Sequence, residues 1–179
     1  MSGFIPDITT TVRVKVNAHQ LEDGISALST HGWFDEIIND MKAKRAEVES
    51  LKDPVAEAVS NNLSEYQRQI ISMKHYKTGM MANSVDVEQD GDGVYLVGNT
   101  ATSVDGFPYP LAIEQGSSAH WVAPVTFKAL HWVQGNDFFS RGHMVSGISS
   151  DPFVDPSIEM SKGDVEDLIT EFMDNVFGD

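Results

Sequence analysis

Asp86, Glu88, Asp90 and Gly91 imitate the opening of a calcium loop, acids at alternate positions followed by a glycine. Such a loop surrounds a hard cation with oxygen ligands and closes with a bidentate acid at its twelfth position, between two helices. Here the twelfth position is Val97 and both flanks alternate as strands do, so a hairpin turn is the better reading. His120, His131 and His143 are the next candidates, as zinc ligands. They lack the close pair, i to i+4 on a helix or i to i+2 on a strand, that seeds such a site. Histidines hydrogen-bonded in or near a core are the expectation. With no cysteine there is no thiolate nucleophile or ligand. Neither a Gly-x-Ser-x-Gly elbow nor a Gly-x-x-x-x-Gly-Lys phosphate loop occurs. Acids are so common that no two single themselves out for hydrolysis. The sequence therefore names no catalytic, cofactor-binding or metal-binding residue, and a non-enzyme with a binding or structural role is expected.

The elements that would position a binding surface can be read from periodicity. Residues 1–10 hold Pro6 and no period, which predicts a loose, flexible N-terminal arm. Val12, Val14 and Val16 alternate with Thr11, Arg13 and Lys15, the pattern of a strand with one wet face. Asn17 can cap a short helix carrying Leu21, Ile25 and Leu28. A longer helix follows Gly32, with Phe34, Ile37, Ile38, Met41, Val48 and Leu51 at helical spacing. Asp53-Pro54 then reads as cap and first position of a new helix, whose stripe is Val55, Val59, Leu63, Tyr66, Ile70 and Met73.

After Gly79 the period becomes two. Val85 to Glu88 and Val94 to Val97 form strands about the turn residues Asp90-Gly91-Asp92-Gly93. Residues 100–108 form a loop. His120–Thr126, Ala129–Gln134 and Phe138–Val145 read as further strands, and 146–150 as a loop. A last helix takes Asp155 as cap and Pro156 at its first position, with Ile158, Val165, Leu168, Ile169, Phe172, Met173, Val176 and Phe177 on one stripe and Gly163 as its weak point. No repeat or boundary appears. One α+β domain spanning 1–179 is expected, an antiparallel β-sheet against long amphipathic helices, with a C-terminal helix.

Composition sets the limits. The 179 residues hold 41% hydrophobic residues, enough to bury a core. Apolar runs are too short to span a bilayer, and no secretory signal is expected. Twelve Lys and Arg face 27 Asp and Glu, a net charge of −15. Such a surface repels nucleic acid, because phosphate binding needs cations to displace counterions. The acid excess, with Asp above Glu, suits a halophile's protein, whose self-repulsion salt screens. It also suits the lining of a conduit through which DNA slides, or an ordinary acidic protein.

One resemblance adds to this reading. Thr78-Gly79 and Ser84 follow the long helix; Tyr109 precedes Glu114 and Gly116; Pro124 and Leu130 to Trp132 come next; and Pro152, Phe153 and Pro156 open the last helix. In this order and spacing, over about residues 55–175, the chain resembles the head–tail joining proteins of tailed viruses, the neck or tail-completion family. It departs from that pattern at Lys77, where an acid is usual, and at Gln115, where an aromatic is usual. Gly79 should end the helical layer in a left-handed conformation, and Gly116 should let the chain swing out and present the following loop.

The resemblance implies a structural virion protein forming a ring in the neck, with no catalysis and no cofactor. Its implied partners are copies of itself in a hexamer, or alternatively a dodecamer, with a head-closure protein and a tail-terminator or tail-tube protein. DNA would be passing cargo only, and no membrane is involved. The setting would be the virion, with host cytoplasm during assembly. A tail-tube terminator, or a small phage or host hydrolase, are the alternatives. Loop 100–108, segment 116–121 and the N-terminal arm are the expected interface. Asp86, Glu88, Asp90, Asp92 and Asp105 are the candidates to face a channel.

Overall fold

The computed structural model describes residues 3–15, 22–23, 25–26, 29, 35–75, 78–104, 106–124, 128–134 and 136–178, with the side chains of 132–134 and 136 excepted. It shows an α+β protein with antiparallel sheets and a long C-terminal helix, grouped into two compact units where the sequence pattern marked no boundary. One unit joins residues 1–101 to 153–179, and the other is residues 102–152.

The first unit is built on a three-stranded antiparallel sheet in the order β1 (Thr10–Arg13), β3 (Val94–Asn99), β2 (Val85–Gly91). Val12 lies opposite Tyr95, Val97 opposite Val87, and Asn99 opposite Val85, so these side chains share one face. Helix α2 (Lys52–Lys74) covers that face, and the C-terminal helix α5 (Val154–Phe177) packs on α2. Helix α1 (Asp35–Ser50) is separated from α2 only by Leu51. The Lys44 ammonium donates to the Val176 carbonyl at the C-terminal end of α5, where the helix dipole favours a cation.

Several expectations change. The N-terminal arm is not loose: Pro6–Ile8 forms a 3₁₀ turn, Ile5 and Ile8 are buried, and the Ile5 amide donates to the Asn99 carbonyl at 3.3 Å. Gly98 is the reason the chain can lie there, since a β-carbon would come within 2.9 Å of both Phe4 and Thr9. Asp53 does not cap α2, which begins one residue earlier. It instead accepts from Gln89 Nε2 (2.8 Å), the Gly93 amide (3.0 Å) and Tyr95 Oη (3.2 Å), tying the helix start to the β2–β3 hairpin. Burial, then the Asp53 charge, holds the Tyr95 phenol above its ordinary pKa.

The buried face of α2 is wider than the expected stripe. Val55, Leu63 and Ile70 are buried as expected, but Ala56, Ser60, Ser64, Gln67 and Ile71 face inward too, while Met73 is 76% exposed. On α1, Ile38 is buried but Ile37 is half exposed. Helix α5 starts at Val154 with Phe153 as N-cap, so Pro156 stands third, where its missing N–H still removes no helical bond. The expected short helix after Asn17 falls mostly outside the described residues.

Helices α2 and α5 each carry buried serines. Ser60 and Ser64 on α2 and Ser157 and Ser161 on α5 are all buried, and each hydroxyl returns to a carbonyl of its own helix at 2.6–3.0 Å. At the rim, Asp164 of α5 accepts from Tyr66 Oη (2.7 Å) and Asn62 Nδ2 (3.3 Å) of α2. The Tyr66 bond first, then Asn62, holds the Asp164 carboxyl below its ordinary value. Its stabilisation is therefore complete above the unfolded pKa and is lost as pH falls through the lower folded one. Tyr66→Phe should lower the melting temperature at pH 7 and narrow its gap from the parent protein as pH falls below the ordinary carboxylate range. A gap constant from pH 7 to pH 2 would contradict this clasp.

Gln67 is the one fully buried amide on α2, and among the described residues neither its nitrogen nor its oxygen has a hydrogen-bond partner. Replacing an unsatisfied buried group by an apolar one of similar shape removes its desolvation penalty. Gln67→Leu should stabilise the protein by about 1–3 kcal/mol, measured by urea unfolding. Destabilisation would show that the amide is satisfied in solution.

The second unit holds helix α4 (Tyr109–Gln115) and two separate antiparallel ladders, β4 (His120–Val122) with β7 (His143–Val145), and β5 (Leu130–Gln134) with β6 (Asn136–Ser140). The strand expected over 120–126 ends at Val122, before Pro124, and that expected over 138–145 is divided at Arg141-Gly142. Helix α4 is not anticipated by the sequence pattern.

Candidate functional site

The residues singled out by sequence divide between the two units. In the first, Gly79 adopts φ 75° and ψ −8°, the left-handed conformation expected of it. It does not end α2, which stops at Lys74 with His75 as C-cap; it starts the short helix α3 (Met80–Asn83), whose Asn83 amide bonds to the Gly79 carbonyl. Thr78 Oγ1 accepts from the Met80 amide at 3.3 Å, and Ser84 Oγ donates to the Met80 carbonyl at 2.7 Å. The Ser84 carbonyl accepts from the Thr100 amide at 3.0 Å, joining the start of β2 to the end of β3.

Two residues at this corner escaped sequence reading. Asn99 is fully buried, donates from Nδ2 to the Met81 carbonyl (2.8 Å) and accepts at Oδ1 from the Ala101 amide (2.9 Å). Arg68 Nη2 donates to the Val85 carbonyl at 2.8 Å. An asparagine inside a β-pattern was the available signal, since strands disfavour it. Thr78, Gly79 and Ser84 are thus brought together as one scaffold corner.

Phe153 is fully buried at the head of α5, whereas Pro152 is exposed. In the second unit, Gly116 has φ 77°, and a β-carbon there would lie 2.8 Å from both the Ile148 carbonyl and the Ser150 amide. Its role is close approach, not release of the following loop: Ser117 and Ile148 exchange backbone hydrogen bonds at 2.8 and 3.0 Å. The Glu114 carbonyl accepts from Ser150 Oγ at 2.6 Å, and burial holds the half-buried Tyr109 phenol above its ordinary pKa. Pro124 follows β4 without belonging to it, and Trp132 lies in β5 with its side chain outside the described residues.

The acids proposed for a channel wall lie mainly along one hairpin. Asp86 and Glu88 project from the sheet face opposite the inward-facing Val85 and Val87, and both are exposed. Asp90 is the extra residue of a bulge between Gln89 and Gly91, and is exposed. Asp92 forms an ion pair with Lys52 at 2.6 Å; that hydrogen bond is the main reason the Lys52 ammonium sits above its ordinary pKa. Asp105 lies outside the described residues.

The second unit presents most of the uncovered aromatic surface. Trp121 and Met144 are cross-strand partners, 61% and 59% exposed, and the Trp121 ring lies over Gly142. Phe139 is 70% exposed and stacks on its cross-strand partner His131 with ring centroids 4.7 Å apart. His131 Nε2 meets Asp137 Oδ1 at 2.8 Å, while His120 Nδ1 meets the Ser118 carbonyl at 3.1 Å. The three histidines are not gathered: among the described residues no group of three or more His, Asp or Glu could hold a metal. No helix among the described residues is long and apolar enough to cross a membrane. Comparison with protein-family models, with curated proteins and with solved structures returned no match.

Proposed function

We propose that this chain is a structural virion protein of the neck of a tailed virus, where it forms a ring that joins head to tail and lets DNA pass. The observation that carries the reading is the division of labour in its surface. The ladders of residues 102–152 expose Trp121, Phe139 and Met144 on short strands, a protein-binding surface by type. The hairpin of the other unit exposes Asp86, Glu88 and Asp90, a surface that DNA passes without adhering. The resemblance in motif order adds the setting, since Gly79, Gly116 and Phe153 occupy a chain reversal, a close backbone approach and a buried anchor.

The test is genetic and structural. Virus assembled without this chain should accumulate separate heads and tails, and adding the purified protein to such extracts should restore complete particles. Complete, infectious particles lacking the chain would sink the reading. The acidic surface gives a second expectation, a melting temperature that rises between 0.01 and 1 M salt as the Debye length shrinks from about 30 to 3 Å.

A further inference from the structure

Strand β2 is an edge of the three-stranded sheet, with β3 on one side and, among the described residues, no strand on the other. The ladder settles which of its backbone groups point outward. The Thr100 amide bonds to the Ser84 carbonyl, so Ser84 and its alternates Asp86 and Glu88 turn their backbone groups toward β3. Val85 and Val87 lie opposite Asn99 and Val97 as the non-bonded pairs, and their N–H and C=O groups face away from the sheet. The far side of β3 agrees, since the Asn99 carbonyl turns from β2 and accepts from the Ile5 amide.

An outward row of this kind is a template on which another strand can add. Alternating valines and a length of seven residues suit β2 to it, and Asp86 and Glu88 to Gly91 are exposed. In a solution of this protein the strand at hand is the same edge of a second copy. Yet each of the two outward residues has a group already taken. Arg68 Nη2, on α2, donates to the Val85 carbonyl at 2.8 Å, and Asp86 Oδ1 accepts from the Val87 amide at 2.9 Å. Arg68 follows the buried Gln67, and Glu65 meets its guanidinium at 3.6 Å. The other end of the strand is interrupted by the bulge at Asp90.

Charge adds a second barrier. Two β2 edges paired antiparallel about Val87 would set Asp86 of each copy opposite Glu88 of the other, and like charges directly opposite destabilise a pair. Salt screens that repulsion but leaves the hydrogen bonds of Arg68 and Asp86 in place. The two barriers can therefore be told apart.

We infer that Arg68 and Asp86 hold the outer edge of β2 closed, so that a second copy cannot add its own β2 there. This goes beyond the neck reading and stands whether or not the chain belongs to a virion. It confines any joining of copies to other surfaces.

Light scattering and amide hydrogen exchange on the full chain, in about 1 M salt where the Debye length is about 3 Å, test this. In the parent protein the exchange rate at Val87 should not depend on protein concentration, whatever its oligomeric state. In Arg68→Ala/Asp86→Ala that rate should fall with rising concentration, by up to about tenfold for a hydrogen bond gained from a second copy. The particle mass should rise above the parent's at equal concentration. Asp86→Asn loses the charge but keeps the accepting oxygen, and should match the parent in both measurements. If the double variant fails to fold, Asp86→Ala decides, since its position is exposed; it should show the same slowing to a smaller extent. Parent-like exchange and mass in the deciding variant would overturn the proposal. So would concentration-dependent slowing in the parent, the mark of an open edge. Slowing in Asp86→Asn equal to that in Asp86→Ala would also overturn it, by making charge the barrier.

Discussion

Phe153→Ala is expected to destabilise the protein by about 3–5 kcal/mol, the usual cost of deleting a large buried aromatic ring. Phe153 has no exposed surface, and it stands at the N-cap of α5, where its carbonyl accepts from the Ser157 amide at 3.2 Å. The substitution thus opens a cavity and loosens the entry of the helix that closes over α2. Urea unfolding followed by circular dichroism measures the loss, and Phe153→Leu should recover much of it by refilling volume. A change below 1 kcal/mol in Phe153→Ala would mean that the ring is not buried in solution.

Removing residues 1–9 should be at least as costly. Ile5 and Ile8 are buried, and the segment also loses the Ile5–Asn99 backbone hydrogen bond. Two isoleucines at about 1.5–3 kcal/mol each give roughly 3–6 kcal/mol. A loose arm would instead leave the melting temperature unchanged. The same truncation cannot serve as a simple test of assembly, because it weakens the fold that any assembly needs.

The long elements were legible because period and composition agreed there. The β2–β3 hairpin has alternating valines and a Gly93 at φ 64°, and α5 repeats apolar residues every three or four positions. The width of the buried face of α2 was harder to read, because Ala56, Ser60, Ser64 and Gln67 on it are small or polar and carry no apolar signal. Helix α4 was hidden by Pro108 and Pro110, which suggest a loop but are tolerated before and within a first turn. The docking of Ile5 and Ile8 has no period to announce it, since its geometry comes from a strand whose Asn99 lies 94 residues after Ile5.

At the candidate site, the left-handed Gly79 was legible from its residue type. Asn99 was not, because its two side-chain bonds reach Met81 and Ala101 across a turn that sequence alone does not close. Gly116 was legible as special, but for the wrong reason: the constraint is the backbone of Ile148 and Ser150 lying against it. The exposed aromatics of β4 and β6 were read as ordinary strand residues, since a pattern shows which face a residue takes but not whether anything covers it.

The first unit takes its parts from both sides of residues 102–152, and α5 is the last of them to be made. On a ribosome adding about 5–20 residues per second, those intervening residues take roughly 3–10 s to synthesise. Throughout that interval the nascent chain holds α2 and the sheet strands without α5, so the side of α2 that α5 covers, with the Asn62 and Tyr66 that clasp Asp164, stays open to solvent until residues 154–177 are made.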